Sequence, residues 1–265
     1  IWGATSFTGK LVTEYLFNKY GSSKIKWAIA GRNFEKLKKV RSHVADENIP
    51  IFIADSFDEE SLAKFVKNTK VVCSTVGPYS LYGTKLVQIC VENNTNYCDI
   101  TGEAHWIRNL IDSFHEEAKS KKIKIVNSCG FDSIPSDMGV YFIQNELKKA
   151  YKHYAKSIKM RVAGIKGGIS GGTYGSINNL LKEAYGDKNI FKVLNNPYGL
   201  NPKDKMEGMD KKDLQKIVFD KESNSWIYPF IMAGINTKIV RRSNALSNFK
   251  YGKDFRYEEA MMSGK

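Results

Sequence analysis

Six short β-branched runs alternate with five stretches of helical spacing over about the first half of the chain. A chain that alternates in this way buries its apolar strands on both faces only in a parallel sheet flanked by helices. Ile1 and Trp2 read as the stub of a first strand, followed by a helix over 8–20 with Leu11, Val12, Tyr15 and Leu16 on one face. "KWAIAG" (26–31), "IPIFIAD" (49–55), "KVVCSTVGPY" (70–79), "YCDI" (97–100) and "KIKIVNSCG" (122–130) supply the remaining strands. Helices fall between them, one near 34–45, one marked by Leu62, Phe65 and Val66, one by Leu86, Val87, Cys90 and Val91, and one by Ile107, Leu110, Ile111, Phe114 and Ala118. The number and order of elements predict an α/β fold, a Rossmann-type doubly wound parallel sheet. Past it the rhythm changes to a helix near 136–149, an alternating strand over 157–165, a glycine cluster and turn-rich sequence, which reads as a second α+β domain. The boundaries expected are 1–134 for the dinucleotide-binding domain and 135–265 for the substrate or dimerisation domain.

"GATSFTG" (3–9) joins the first strand to the first helix. At such a junction glycines let the backbone turn and approach a pyrophosphate, while the amides of the helix start point at the anion. Gly3 and Gly9 keep the outer positions, and Thr5, Ser6, Phe7 and Thr8 complete the loop. Ser6 stands at the middle position, where its side chain either crowds the pyrophosphate or donates a hydrogen bond to it. The second strand ends in Gly31, Arg32 and Asn33, with no carboxylate to take a ribose 2′-hydroxyl. An arginine there suits a 2′-phosphate, so NADP(H) is the expected cofactor, with NAD(H) second. Asp55 at the end of the third strand, and Gly77 and Pro78 after the fourth, complete the expected cofactor contacts.

The formal charge of +13 raises the question of a nucleic-acid or anionic-surface partner. Lysines scattered over helix faces, without interleaved aromatics, read instead as a solvated surface, and no specific nucleic-acid binding is expected. Four cysteines at no metal or disulfide-framework spacing fit reduced thiols in an intracellular, cytoplasmic setting, and no metal site is expected. Neither a signal peptide nor a run of 18 apolar residues is present. The chain begins at Ile1 without methionine and ends within a run that reads as folded, so it is expected to be a fragment, shortened at its C-terminus.

Several stretches, in order along nearly the whole chain, together resemble the saccharopine dehydrogenase-like oxidoreductase family, whose bacterial relatives include trans-acting enoyl reductases. They are "GATSFTG", "WAIAGRN" (27–33), "VGPYSLYG" (76–83), "YCDITGE" (97–103), "CGFDSIPSDMGV" (129–140), "SGGTYGS" (170–176) and "MAGINTKIVRRSNAL" (232–246). The resemblance implies a Rossmann domain, an α+β second domain and an oxidoreductase activity, without implying saccharopine as the substrate. Ser6 departs from the glycine more usual in the family.

Ligands of open α/β sheets bind beyond the carboxyl ends of the strands, so the loops after the fourth, fifth and sixth strands carry the candidate chemistry. Hydride transfer to an unsaturated or carbonyl substrate needs a proton at the opposite atom, and Asp132 or Tyr79 is the expected donor. Glu103, Ser133 and Thr173 are the expected substrate contacts. Asp99 reads as a turn-fixing or capping residue, and Cys129 as a strand-end thiol. The leading expectation is therefore an NADP(H)-dependent oxidoreductase acting on a small, lipid-like unsaturated or carbonyl substrate, with a homo-oligomer allowed. The alternative is a catalytically silent dinucleotide-binding protein associated with a membrane or lipid surface. "WIYPFIMAG" (226–234) followed by Lys238, Arg241 and Arg242 supports that alternative, because apolar aromatics beside cations suit an interface, although a core strand also explains the stretch.

Overall fold

A computed structural model describes residues 1–131, 133–166 and 171–263. They form two compact units, Ile1–Thr101 with Asp112–Asn127, and Gly102–Ile111 with Ser128–Lys265.

The first unit is built on a parallel sheet. β1 (Ile29–Gly31) pairs with β2 (Ile51–Ile53), and β3 (Val71–Ser74) pairs with β4 (Asn96–Asp99), which pairs with β5 (Ile125–Val126). The two groups are joined through a single residue, since Trp2 bridges Ala30 on one side and Ser74 on the other. With the Trp2 segment counted first, the spatial order is 3-2-1-4-5-6, the doubly wound arrangement. Trp2 is buried and stacks on Phe65 with ring centroids 5.4 Å apart. The crossovers are α1 (Phe7–Tyr20), α2 (Phe34–His43), α3 (Glu59–Val66), α4 (Tyr79–Tyr82) with α5 (Thr84–Glu92), and α6 (Ala104–Ser120). Ser6, Asn33 and Asp58 cap α1, α2 and α3 by accepting hydrogen bonds from backbone amides, which satisfies donors that lack an intrahelical partner. Ala4, Ile29, Leu37, Val40, Val44 and Ile49 form a core cluster that Phe17 and Trp27 extend.

Two features of this unit differ from the sequence expectation. Leu11 and Tyr15 of α1 stand in solvent, and the helix buries Gly9 and Thr13 instead. Small residues there permit an approach that the apolar stripe would block. The sixth strand contracts from 122–130 to Ile125–Val126, because Lys122 and Ser128 both take left-handed backbone and end the pairing at each side.

In the second unit α7 (Ile134–Tyr151) leads into β6 (Ser157–Val162), followed by α8 (Gly171–Gly186), α9 (Lys188–Asn195), β7 (Val218–Asp220), β8 (Ser225–Tyr228), α10 (Ala233–Leu246) and β9 (Arg256–Met262). The sheet order is β6-β9-β8-β7, parallel between β6 and β9 and antiparallel elsewhere. Val140 of α7, Val240 of α10, Phe255 and Tyr257 form its core cluster, with Ile158 and Met160 of β6 against it.

The stretch 226–234 is not one strand: it leaves β8 at Tyr228, turns, and enters α10. The cations after it do not form an exposed row. Lys238 and Arg241 are only 2% and 4% exposed. Arg241 Nε donates to Asp210 at 2.7 Å, and its other nitrogens reach the carbonyls of Pro197 and Tyr257. Arg242 donates to the Leu200 carbonyl, and burial together with the neighbouring Arg108 charge lowers its guanidinium to about 10. Cations committed in this way hold turn-rich chain onto α10 and are not presented to lipid headgroups, which corrects the sequence reading of an interfacial cationic strip. Among the described residues, no helix is long and apolar enough to cross a membrane.

Removing one member of a buried ion pair strands the other charge. Arg241→Ala should therefore lower stability by about 3–5 kcal/mol, read as a fall in the urea midpoint. Arg256→Ala, on an exposed β9 side chain, should change it by less than about 0.5 kcal/mol.

Candidate functional site

The turn between Trp2 and α1 is held open by glycine alone. Gly3 has φ +83°, and a Cβ added there would lie 2.5 Å from Val76 Cγ2 and 3.0 Å from Thr75 Oγ1. A Cβ on Gly9 would strike the Gly3 carbonyl oxygen and lie 2.8 Å from Ala4 Cα. The first turn of α1 thus rests directly on the backbone of residues 3 and 4, the close approach that a pyrophosphate-binding turn requires. Phe7 and Thr8 occupy the helix start, where backbone amides lack intrahelical acceptors and the helix dipole favours an anion.

Ser6 Oγ accepts the Gly9 amide at 2.9 Å and lies 3.1 Å from Thr75 Oγ1. Its own amide donates to the Gly3 carbonyl at 2.9 Å. The middle side chain is therefore the N-cap of α1, and the question posed by its departure from glycine is answered within the fold. Thr75 was not singled out in the sequence. Its hydroxyl lies 3.1 Å from the Gly3 carbonyl and 3.2 Å from that of Trp2, which fastens the turn to the end of β3. The signal for it was a hydroxyl residue one position past a buried strand.

Arg32 is exposed immediately after β1, and Asn33 beside it is spent on capping α2. Asp55 follows β2 and closes a turn, accepting the Phe57 amide on Oδ1 at 2.9 Å. That turn presents Phe57, 72% exposed, edge-on to Tyr82 with centroids 5.6 Å apart. Gly77 and Pro78, joined by a cis peptide, follow β3. Tyr79 is buried. Its phenol donates to the Ser74 carbonyl at 3.1 Å and accepts from the Ile100 amide at 3.4 Å, so it ties together the ends of β3 and β4. Asp99 fixes the next turn, accepting the Thr101 amide and the Asn127 side-chain amide.

In the second unit two of the expected substrate residues, Glu103 and Ser133, are buried and bonded. Glu103 accepts from Ser176 Oγ at 2.7 Å, and two residues on His105 Nε2 lies 2.8 Å from Glu183 Oε2, which pins the start of α6 to α8. Ser133 Oγ donates to Asn236 Oδ1, Asn236 Nδ2 donates to Glu259 Oε2, and the Tyr257 phenol donates to Glu259 Oε1. This chain fastens the start of α7 to α10 and β9. Burial raises the Glu259 carboxyl above its ordinary value, against the opposing effect of its hydrogen bonds. Asp132 lies outside the described residues, as does the side chain of Thr173. Among the described residues, no three His, Cys, Asp or Glu side chains gather to hold a metal ion.

Residues 1–126 match the family described as saccharopine dehydrogenase NADP binding domain. A Mycobacterium tuberculosis protein carrying the name trans-acting enoyl reductase in provisional form is 38% identical over 272 residues, which cover all of this chain and 64% of the relative. The trans-acting enoyl reductase of Mycobacterium leprae is 33% identical over 279 residues, covering all of this chain and 65% of the relative. The chain thus spans 64–65% of the length of these relatives. Apo saccharopine dehydrogenase (L-Glu forming) from Saccharomyces cerevisiae is 17% identical with a TM-score of 0.46, covering 72% of this chain and 36% of that one. The cofactor of the matched domain is NADP(H). Its pyrophosphate fits a turn where only glycine is tolerated at both ends and which leads directly into the start of α1.

Ser6→Ala should cost about 1 kcal/mol through loss of the cap, and Gly9→Ala about 1–3 kcal/mol through overpacking, both read from thermal or urea unfolding. Because the folded pKa of Glu259 is raised, its contribution to stability is full below the unfolded value and is lost as pH rises through the folded one. Glu259→Gln should remove that loss, so stability-versus-pH curves of wild type and variant should diverge in the variant's favour as pH rises.

Proposed function

We propose that the chain, whose residues 1–126 match the saccharopine dehydrogenase NADP binding domain family, reduces a carbon–carbon double bond conjugated to a carbonyl, as in an enoyl ester or thioester. The observation that carries the reading is the glycine-only contact of α1 with residues 3 and 4, beside an exposed Arg32. The substrate class is drawn from the enoyl reductase names of relatives similar over all of this chain.

The bound cofactor supplies hydride to the electron-poor carbon of the double bond. Residues 3–9 bind its pyrophosphate through main-chain amides, and Arg32 pairs with the 2′-phosphate, a planar, permanently charged group against a dianion. Asp55, Gly77 and Pro78 shape the strand ends on which the rest of the cofactor lies. The proton required at the carbon next to the carbonyl comes from a side chain of the chain itself. Of the two candidates, the Tyr79 phenol is engaged with the Ser74 carbonyl, which leaves the Asp132 carboxyl as the proposed donor. Glu103 and Ser133, each bonded within the second unit, position the chain around α6 and α7, and Thr173 is the proposed substrate contact. A lipid-like acyl chain on the substrate is part of the same proposal.

Titration with NADPH and NADH tests the cofactor half, and NADPH consumption with a panel of α,β-unsaturated thioesters and ketones tests the substrate half. Arg32→Ala should weaken NADPH binding about tenfold or more, the scale of a charge-assisted contact, while NADH affinity stays unchanged. Equal loss for both dinucleotides would refute the 2′-phosphate assignment. Asp132→Asn should abolish turnover with NADPH affinity retained.

A further inference from the structure

Cys73 of β3 and Cys98 of β4 are register partners in adjacent parallel strands. Partners in register project to the same face of a sheet, and neighbouring strands lie about 4.8 Å apart, within the Cα range of about 4.4–6.8 Å that a disulfide spans. Neither residue is in a disulfide, and both are half-buried rather than sealed in the core. We propose that Cys73 and Cys98 form an oxidisable dithiol, a modification site for a peroxide-class oxidant, whose closure to a disulfide weakens the hold of the first unit on its dinucleotide. The coupling rests on the NADP(H) reading above, whereas the disulfide does not.

The two thiols are chemically unequal in the way such a site requires. A hydrogen bond from Cys98 lowers the Cys73 thiol below its ordinary value, against the opposing effects of burial and Asp99. Thiolate, not thiol, attacks a peroxide. Cys73 sulfur takes the terminal oxygen of hydrogen peroxide, breaking the O–O bond and forming a sulfenic acid with release of one water. Cys98 sulfur then attacks the sulfenic sulfur, its proton leaving with the hydroxyl as a second water. Two electrons pass from the sulfur pair to the peroxide, and a thiol reductant reverses the change. Cys90 is a built-in contrast, since burial alone pushes its thiol up to about 12.

Closure acts on the dinucleotide turn through the main chain. The Cys73 carbonyl accepts the Trp2 amide at 2.8 Å, and the next residue but one, Thr75, reaches the Gly3 carbonyl. Drawing the sulfurs to bonding distance, about 2.05 Å, shifts the end of β3 against residues that the Gly3 and Gly9 contacts leave no room to follow.

The test is limited peroxide treatment of the native chain, alkylation and peptide mass mapping, with NADPH titration before and after. Wild type should yield a Cys73–Cys98 linked peptide lacking two hydrogens, restored by dithiothreitol. Cys98→Ser should stop at a dimedone-trapped sulfenic acid on Cys73, and Cys73→Ser should give neither product. NADPH affinity should fall at least threefold on oxidation of wild type and remain unchanged in the similarly treated Cys73→Ser/Cys98→Ser protein. Trapping at Cys129 with no linked peptide, or a link formed only in urea, would overturn the dithiol. Equal affinities of the oxidised and reduced wild type would overturn its coupling to the cofactor. Failure of the reduced protein to bind NADPH would sink the cofactor assignment while leaving the linked peptide as a separate result.

Discussion

No side chain fits between the start of α1 and the backbone of residues 3 and 4, and the first unit is arranged around that contact. It brings the start of α1 to the end of the central strand segment, an arrangement in which main-chain amides suit an anion without any charged side chain. It also obliges α1 to meet the sheet through Gly9 and Thr13, leaving Leu11 and Tyr15 outside. The same few residues serve the sheet, because Trp2 is both the bridge between its halves and the residue preceding the turn. Thr75 and Ser6 complete the arrangement by bonding strand end, turn and helix cap to one another.

The second unit is held differently. Its interior contains Arg241 with Asp210, and a chain of hydrogen bonds from Ser133 through Asn236 to Glu259 and Tyr257. Buried groups of this kind add little net stability over well-packed apolar ones, but their directional bonds fix geometry. The start of α7, which follows the segment containing the proposed proton donor, is held in this way to a helix and a strand more than 100 residues further on.

Much of this organisation was legible in the sequence, for reasons that differ between residues. The strand and helix alternation reports burial directly, Gly3 reports a left-handed backbone, and Gly9 a contact that no Cβ could enter. Arg32 was placed by its position after the second strand, and the structure leaves it exposed immediately after β1. Ser6 was read only against the ligand, as crowding or bonding the pyrophosphate, whereas a serine three residues before a backbone amide also serves as a cap, the use its bond to the Gly9 amide shows. Lys238 and Arg241 resembled interfacial cations because their partners, among them Asp210, lie in a turn-rich segment with no periodicity to reveal where it packs. The two-residue length of β5 depends on left-handed backbone at Lys122 and Ser128, which lysine and serine do not advertise. Tyr79 was read as a candidate donor from its place after the fourth strand, and its bond to the Ser74 carbonyl has no signal in the sequence.

The bridge at Trp2 also sets an order of events in folding. Its partners are Ala30 and Ser74, so the Trp2 segment waits for strands that come much later in the chain. Contacts of such long sequence separation form slowly and favour late closure of the sheet. The turn after Trp2 cannot take its shape before β3 arrives, so on a growing chain the dinucleotide site is among the last parts of the first unit to exist.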